Sequence, residues 1–272
     1  MNKYLQLFRT GNAVMGIVGV FVACFMAAGF DIADEIVNLL ISAVVVFMFM
    51  CGGNALNDYI DYEIDKTAHP ERPIPSGRIE RKTALYAGLV MFISSVAISF
   101  LTMDIECIAI VIVACILMVA YETCLKQRGF IGNITIAILT GMMFLLGGSV
   151  VGSMMDNAIV AAMAMLVSIG REITKDIEDM DSDEGRIILP MRIGIRNASI
   201  IACAFYVAGP LLSIQPMIAG TYGILYYTVL IADAVFVFCA ISVFKDPHRS
   251  QKLAKKAMVL ALISFILGVF RF

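Results

Sequence analysis

The stretches NALNDYIDYEID, residues 54–65, and REITKDIEDMDSD, residues 171–183, share one spacing of aspartates: Asp58, Asp61 and Asp65 in the first, Asp176, Asp179 and Asp183 in the second. Both read D-x-x-D-x-x-x-D, and both stand where an apolar run gives way to polar sequence. With ~100° of turn per residue in an α-helix, positions i, i+3 and i+7 fall within roughly 60° of one another, so each motif presents a stripe of carboxylates. Aligned carboxylates repel one another unless a cation neutralises them. Hard oxygen donors suit Mg2+, which keeps several waters and binds through carboxylates together with the phosphates of a substrate. A single acidic run would read as a solvated face. The same pattern twice in a chain of thirteen aspartates points to a metal cage and to phosphate or diphosphate chemistry.

Around the motifs the chain is 60% hydrophobic and 15% charged over 272 residues, with a mean hydropathy of +0.90. An ordinary soluble domain carries about 25% charged residues. Apolar runs able to cross ~30 Å of hydrocarbon fall near 12–28, 36–53, 83–103, 108–124, 133–154, 158–168, 199–214, 222–244 and 257–270. The expected fold is therefore all-α, a polytopic membrane protein with nine transmembrane helices. A shift of 118 residues carries the first motif onto the second and the second span onto the sixth. This predicts a single transmembrane domain, 1–272, built as two four-helix halves of parallel topology, 1–128 and 129–245, with a ninth helix at 252–272.

Lys3 and Arg9 precede the first span, and the other basic residues before the last span lie in the connections at 66–82, 126–128, 171–196 and 245–256. The connections at 31–35, 103–106, 154–157 and 214–223 contain no Lys or Arg. The positive-inside rule then places the N-terminus and both acidic motifs in the cytoplasm and the C-terminus outside the cell membrane. The seven cysteines are scattered through or beside the spans without a C-x-x-C pair and read as small packing residues.

The loop KTAHPERPIPSGRI, residues 66–79, brings in the opposite charge. Its prolines and Pro-Ser-Gly turn fix an irregular path that carries Arg72 and Arg78 back beside the acids. The planar fork of arginine suits phosphate oxygens. Lys126, Arg128 and Lys175 are further candidates for an anion clamp, Lys175 on the motif helix itself.

N-D-x-x-D-x-x-x-D at 57–65, R-P-I-P-S-G at 72–77, the second acidic motif at 176–183 and the Tyr121 to Lys126 spacing together resemble the UbiA superfamily of intramembrane prenyltransferases, along the whole chain. The resemblance implies Mg2+ held by Asn57, Asp61, Asp65, Asp176, Asp179 and Asp183, and a polyprenyl diphosphate donor. It also favours Tyr121 near the reacting carbon, where its ring would steady a cation; the residues alone read it equally as an interfacial aromatic. Asp58 reads as a metal ligand or a proton acceptor. The wording NDYIDYEIDKTAHPERPIPSGRI is most like members that build archaeal ether lipids. There the donor is geranylgeranyl diphosphate and the acceptor is the free hydroxyl of geranylgeranylglyceryl phosphate, with Arg9, Lys126 and Arg128 as candidates for its phosphate. The expected partners are these two substrates and the bilayer, with no nucleic acid. An aromatic acceptor (4-hydroxybenzoate, naphthoate, homogentisate or chlorophyllide type) is the alternative, and a lipid-diphosphate phosphatase a more distant one. A cation transporter would place its acids near midplane in broken helices, without arginines beside them.

Overall fold

A computed structural model of the chain describes residues 2–102, 104–180 and 187–271, and among these there is no strand. The long helices are α1 (Thr10–Ala28), α2 (Ile36–Ile60), α3 (Arg81–Ser99), α4 (Ile105–Ala120), α5 (Phe130–Val150), α6 (Ala158–Glu178), α7 (Ile195–Ala219), α8 (Val229–Ser242) and α9 (Pro247–Val269). Short helices occupy Lys3–Leu7, Tyr62–Ala68 and Leu189–Ile193. Among the described residues, seven helical stretches are long and apolar enough to cross a membrane, and the first of them, Thr10–Ile60, holds both α1 and α2. Helices satisfy their own backbone hydrogen bonds, which hydrocarbon requires. The protein is an integral membrane protein.

Helix α9 begins well before the apolar run that announces it in the sequence. Asp246 caps it by accepting from the Arg249 N–H at 2.9 Å, and Pro247 fits the first turn. Its first turns carry Arg249, Lys252, Lys255 and Lys256, which hides them from a hydropathy reading.

The helices gather into two compact units: Met1–Thr123 with Leu145–Met155, and Cys124–Phe144 with Asp156–Phe272. In the first unit α2 and α3 approach through glycines. A Cβ on Gly88 would lie 3.3 Å from the Gly52 carbonyl oxygen and 3.4 Å from the Leu56 nitrogen. Small residues let helix backbones come this close in a membrane. Deeper along the same pair, Ser95 donates its hydroxyl hydrogen to the Val45 carbonyl at 2.9 Å. Gly88→Val is expected to lower the stability of the detergent-solubilised protein by about 1–3 kcal/mol through overpacking. An unchanged unfolding midpoint would mean that the two helices part without cost.

Near the first acidic motif, Leu7 is fully buried against Ala55, Ile74, Ile79 and Ala84. That cluster binds the Lys3–Leu7 helix, the end of α2, the loop at 69–80 and the start of α3 into one body. In the second unit, Ile169, Ile173 and Ile177 of α6 face Ala198 and Ala202 of α7. Tyr206 is fully buried, stacks on Phe236, and sets its hydroxyl 3.1 Å from that of Thr174. These contacts hold α6, and with it Asp176, on the rest of its unit.

Candidate active site

Helix α2 ends at Ile60 and the chain resumes as Tyr62–Ala68, with Asp61 at the junction. The helical bonding nevertheless continues: the Asp61 N–H donates to the Asn57 carbonyl at 2.9 Å and the Asp65 N–H to the Asp61 carbonyl at 2.8 Å. The three aspartates of the first motif therefore stay on one helical path. Asp58 and Asp65 are only 1% and 3% exposed, and Asp61 is half-buried.

Two arginines neutralise the buried pair. Arg72 donates from Nη1 to both oxygens of Asp65, at 2.8 and 2.7 Å, and lies 3.7 Å from Asp58 Oδ1. Arg9 donates from Nη2 to Asp58 Oδ1 at 2.5 Å and to Asn57 Oδ1 at 3.2 Å. Arg9 is the one non-glycine residue with positive φ (44°) among the described residues, immediately before α1. Such a conformation costs of order 1 kcal/mol and persists where surrounding contacts over-determine it.

The proline loop returns Arg72 to the acids but keeps Arg78 to itself. Gly77 takes φ +73°, the Ser76 hydroxyl donates to the Arg72 carbonyl at 2.6 Å, and Arg78 donates to Ser76 Oγ at 2.9 Å and to the Glu71 carbonyl. Lys3 donates to the Arg78 carbonyl at 3.0 Å. Off the stripe, Glu63 takes a hydrogen bond from Lys66 at 2.8 Å, which holds that ammonium above its ordinary pKa. Arg9, Asp58 and Arg72 stand in the wall of an open cleft of about 410 Å³.

Beyond Ala120, α4 passes into a π-helical turn, Tyr121–Leu125. Tyr121, at its start, is half-buried, while Glu122 is 6% exposed and accepts from Asn57 Nδ2 at 3.0 Å. The same amide nitrogen donates to Asp61 Oδ2 at 3.1 Å. Glu122 is thus a member of the first-motif network that motif spacing does not reveal. A fainter signal exists: Cys107, Val111 and Cys115 mark the buried face of α4 at steps of four, and Glu122 lies seven residues on along that face.

In the second unit Asp176 accepts from Asn133 Nδ2 at 2.7 Å, another polar partner outside the motif. Asp179 stands at the end of α6, its N–H donating to the Lys175 carbonyl at 2.9 Å. Lys175 is exposed, with Nζ 3.9 Å from Oε2 of the buried Glu172, whose Oε1 takes a 2.5 Å bond from Arg171. Glu178, off the stripe, is tied to His248 and to Gln251 Nε2. Lys126 and Arg128 share a single 3-10 turn, Lys126 half-buried and Arg128 exposed. Asp183 lies outside the described residues. Among the described residues no three acidic, His or Cys side chains are already gathered as a metal cage. The candidate donors Asn57, Asp61, Asp65, Asp176, Asp179 and Asp183 are nonetheless all oxygen donors, a chemistry that fits a hard divalent cation.

Asp233, mid-span in α8, belongs elsewhere. It is bonded to Ser213 of α7 at 2.6 Å and stands in the wall of an apolar cavity of about 230 Å³ with Met163, Phe236 and Phe265.

The sequence profile of the UbiA prenyltransferase family matches residues 17–267. The digeranylgeranylglyceryl phosphate synthase of Methanococcoides burtonii is 39% identical, with 98% of this chain and all of the relative covered. That of Methanosphaera stadtmanae is 35% identical, covering 98% of this chain and 99% of the relative. A solved structure of a digeranylgeranylglyceryl phosphate synthase in membranes superposes with a TM-score of 0.89 at 31% identity, over 98% of this chain and 97% of the other. A UbiA homolog from Archaeoglobus fulgidus, bound to GPP and Mg2+, shares the fold with a TM-score of 0.67 at 12% identity, over 98% and 99% of the two chains. With the family profile matching residues 17–267 and relatives 35–39% identical over nearly the whole sequence, the chain belongs to the UbiA prenyltransferase family.

Proposed function

We propose that this intramembrane prenyltransferase moves a geranylgeranyl group from its diphosphate to the free hydroxyl of geranylgeranylglyceryl phosphate, a step of archaeal ether-lipid synthesis. The observation that carries the proposal is the pairing of buried Asp58 and Asp65 with Arg9 and Arg72, with Arg9, Asp58 and Arg72 in the wall of an open cleft. The names of the relatives supply the substrates.

In this reading Asn57, Asp61, Asp65, Asp176, Asp179 and Asp183 would hold Mg2+. Bound there, Mg2+ would neutralise the diphosphate and the charge that grows on it as it leaves. Arg72 and Lys175 bind diphosphate oxygens as charge develops, and Arg78, held by the loop, is a further candidate. Tyr121 faces its ring to the allylic carbon as the C–O bond breaks. The acceptor hydroxyl attacks C1, and its proton passes to Asp58. Arg9, Lys126 and Arg128 hold the acceptor's phosphate.

The reading extends to architecture. Nine spans follow if α1 and α2 each cross and α9 crosses behind its basic first turns. The repeat runs as halves of about 1–128 and 129–245. The N-terminus and the acids face the cytoplasm, where the basic connections gather.

Purified protein in lipid, given Mg2+, geranylgeranyl diphosphate and geranylgeranylglyceryl phosphate, is expected to yield the diether phosphate and to lose the reaction with EDTA. Transfer only to 4-hydroxybenzoate or another aromatic acceptor would replace the substrate. Phosphate release without transfer would replace the reaction.

A further inference from the structure

Asn57 is the one amide among the acids of the first motif, and an amide has a wrong way round. Only its oxygen can serve a cation, while its nitrogen would turn two hydrogens toward one. The neighbours decide between the two. On one side stand Glu122 Oε2 at 3.0 Å and Asp61 Oδ2 at 3.1 Å, both carboxylate oxygens; on the other stands Arg9 Nη2 at 3.2 Å. Ionised carboxylates accept only and guanidinium donates only, so chemistry alone sets the flip: nitrogen toward Glu122 and Asp61, oxygen toward Arg9.

The two acceptors are not equivalent. Asp61 belongs to the metal-binding stripe, and a cation there draws on the oxygens that face Asn57. Glu122 lies off the stripe, 6% exposed, in a π-helical turn of α4. Such turns are rare and recur at functional sites. A carboxylate buried this deeply requires polar partners, and the Asn57 amide is one of them.

We infer that Glu122 is a positioning residue: it holds Asn57 by the amide nitrogen so that Oδ1 is presented to the metal, whether or not Asp61 is engaged. This rests on the reading of Asn57 as a metal ligand. Partners of this kind, behind the ligands themselves, commonly change metal affinity by about 10–100-fold when removed.

The test is substrate-free Mn2+ binding to the purified protein in nanodiscs, read by electron paramagnetic resonance, beside the melting temperature of each metal-free variant. Glu122→Ala is expected to weaken binding by about 10–100-fold. Glu122→Gln keeps an oxygen for the Asn57 nitrogen and should stay within about threefold of the parent. In an Asn57→Asp background either face is an oxygen, so adding Glu122→Ala should cost nothing more. Should the alanine protein not fold, Glu122→Met fills the volume without a comparable acceptor and is judged by the same criteria. Parent-like binding in Glu122→Ala, a glutamine variant as weak as alanine, or a loss that persists beside Asn57→Asp would each overturn the inference. Absence of Mn2+ binding in the parent protein would instead remove the metal site itself.

Discussion

Asp61→Ala is expected to lower kcat by about 10³-fold, on the order of 4 kcal/mol of transition-state stabilisation. Asp61 lies between Asp58 and Asp65 on the motif and takes a hydrogen bond from Asn57. Removing it withdraws a carboxylate from the middle of the stripe, where diphosphate charge must be neutralised as the prenyl group departs. Alanine continues the helical path at least as well as aspartate, so the fold should survive. Initial rates in lipid over a range of Mg2+, with the melting temperature measured alongside, check both halves of the argument. Activity within tenfold of the parent at ordinary Mg2+ would take Asp61 out of the metal set.

Arg72→Ala should act first on stability. Asp65 is almost wholly buried, and both its oxygens receive Arg72. Deleting one partner of a buried pair leaves the other charge without compensation and typically costs about 3–5 kcal/mol. The proposed function adds a signature. Mg2+ at Asp65 would restore compensating charge, so the deficit seen in metal-free unfolding should shrink when Mg2+ is present. Transfer should remain poor even then, because the diphosphate has lost its forked donor. An equal deficit with and without Mg2+ would separate Asp65 from the metal.

Much of this was legible in the sequence, and what was not had definite causes. The acidic motifs announce themselves because repetition at helical spacing has no ready packing explanation; the first keeps its three aspartates on one helical path, whereas α6 ends at Glu178, past Asp176 and before Asp179, and Asp183 lies outside the described residues. Arg72 and Arg78 flank the same Pro-Ile-Pro-Ser-Gly run and look alike on paper. Only the turn at Gly77, with Ser76 and the Glu71 carbonyl holding Arg78, separates the one that meets an aspartate from the one spent on the loop. Asn133 and Glu122 belong to no repeated pattern. A single polar residue repeats nothing, and its partner is 43 or 65 residues away along the chain. The early start of α9 was hidden by its lysines, since hydropathy reports the solvent around a helix and not the helix.

The cluster around Leu7 also sets an order of events during synthesis. Residues 3–7 leave the ribosome before the surface that buries Leu7, which is made of Ala55, Ile74, Ile79 and Ala84. Until residue 84 has emerged, the short leading helix has nowhere to rest and Arg9 has no finished setting in which to face Asp58. Domains generally mature from the amino end as the chain grows. Here residues 3–7 settle only after chain made later than themselves, so Asp58 waits for Arg9 until the start of α3 has emerged.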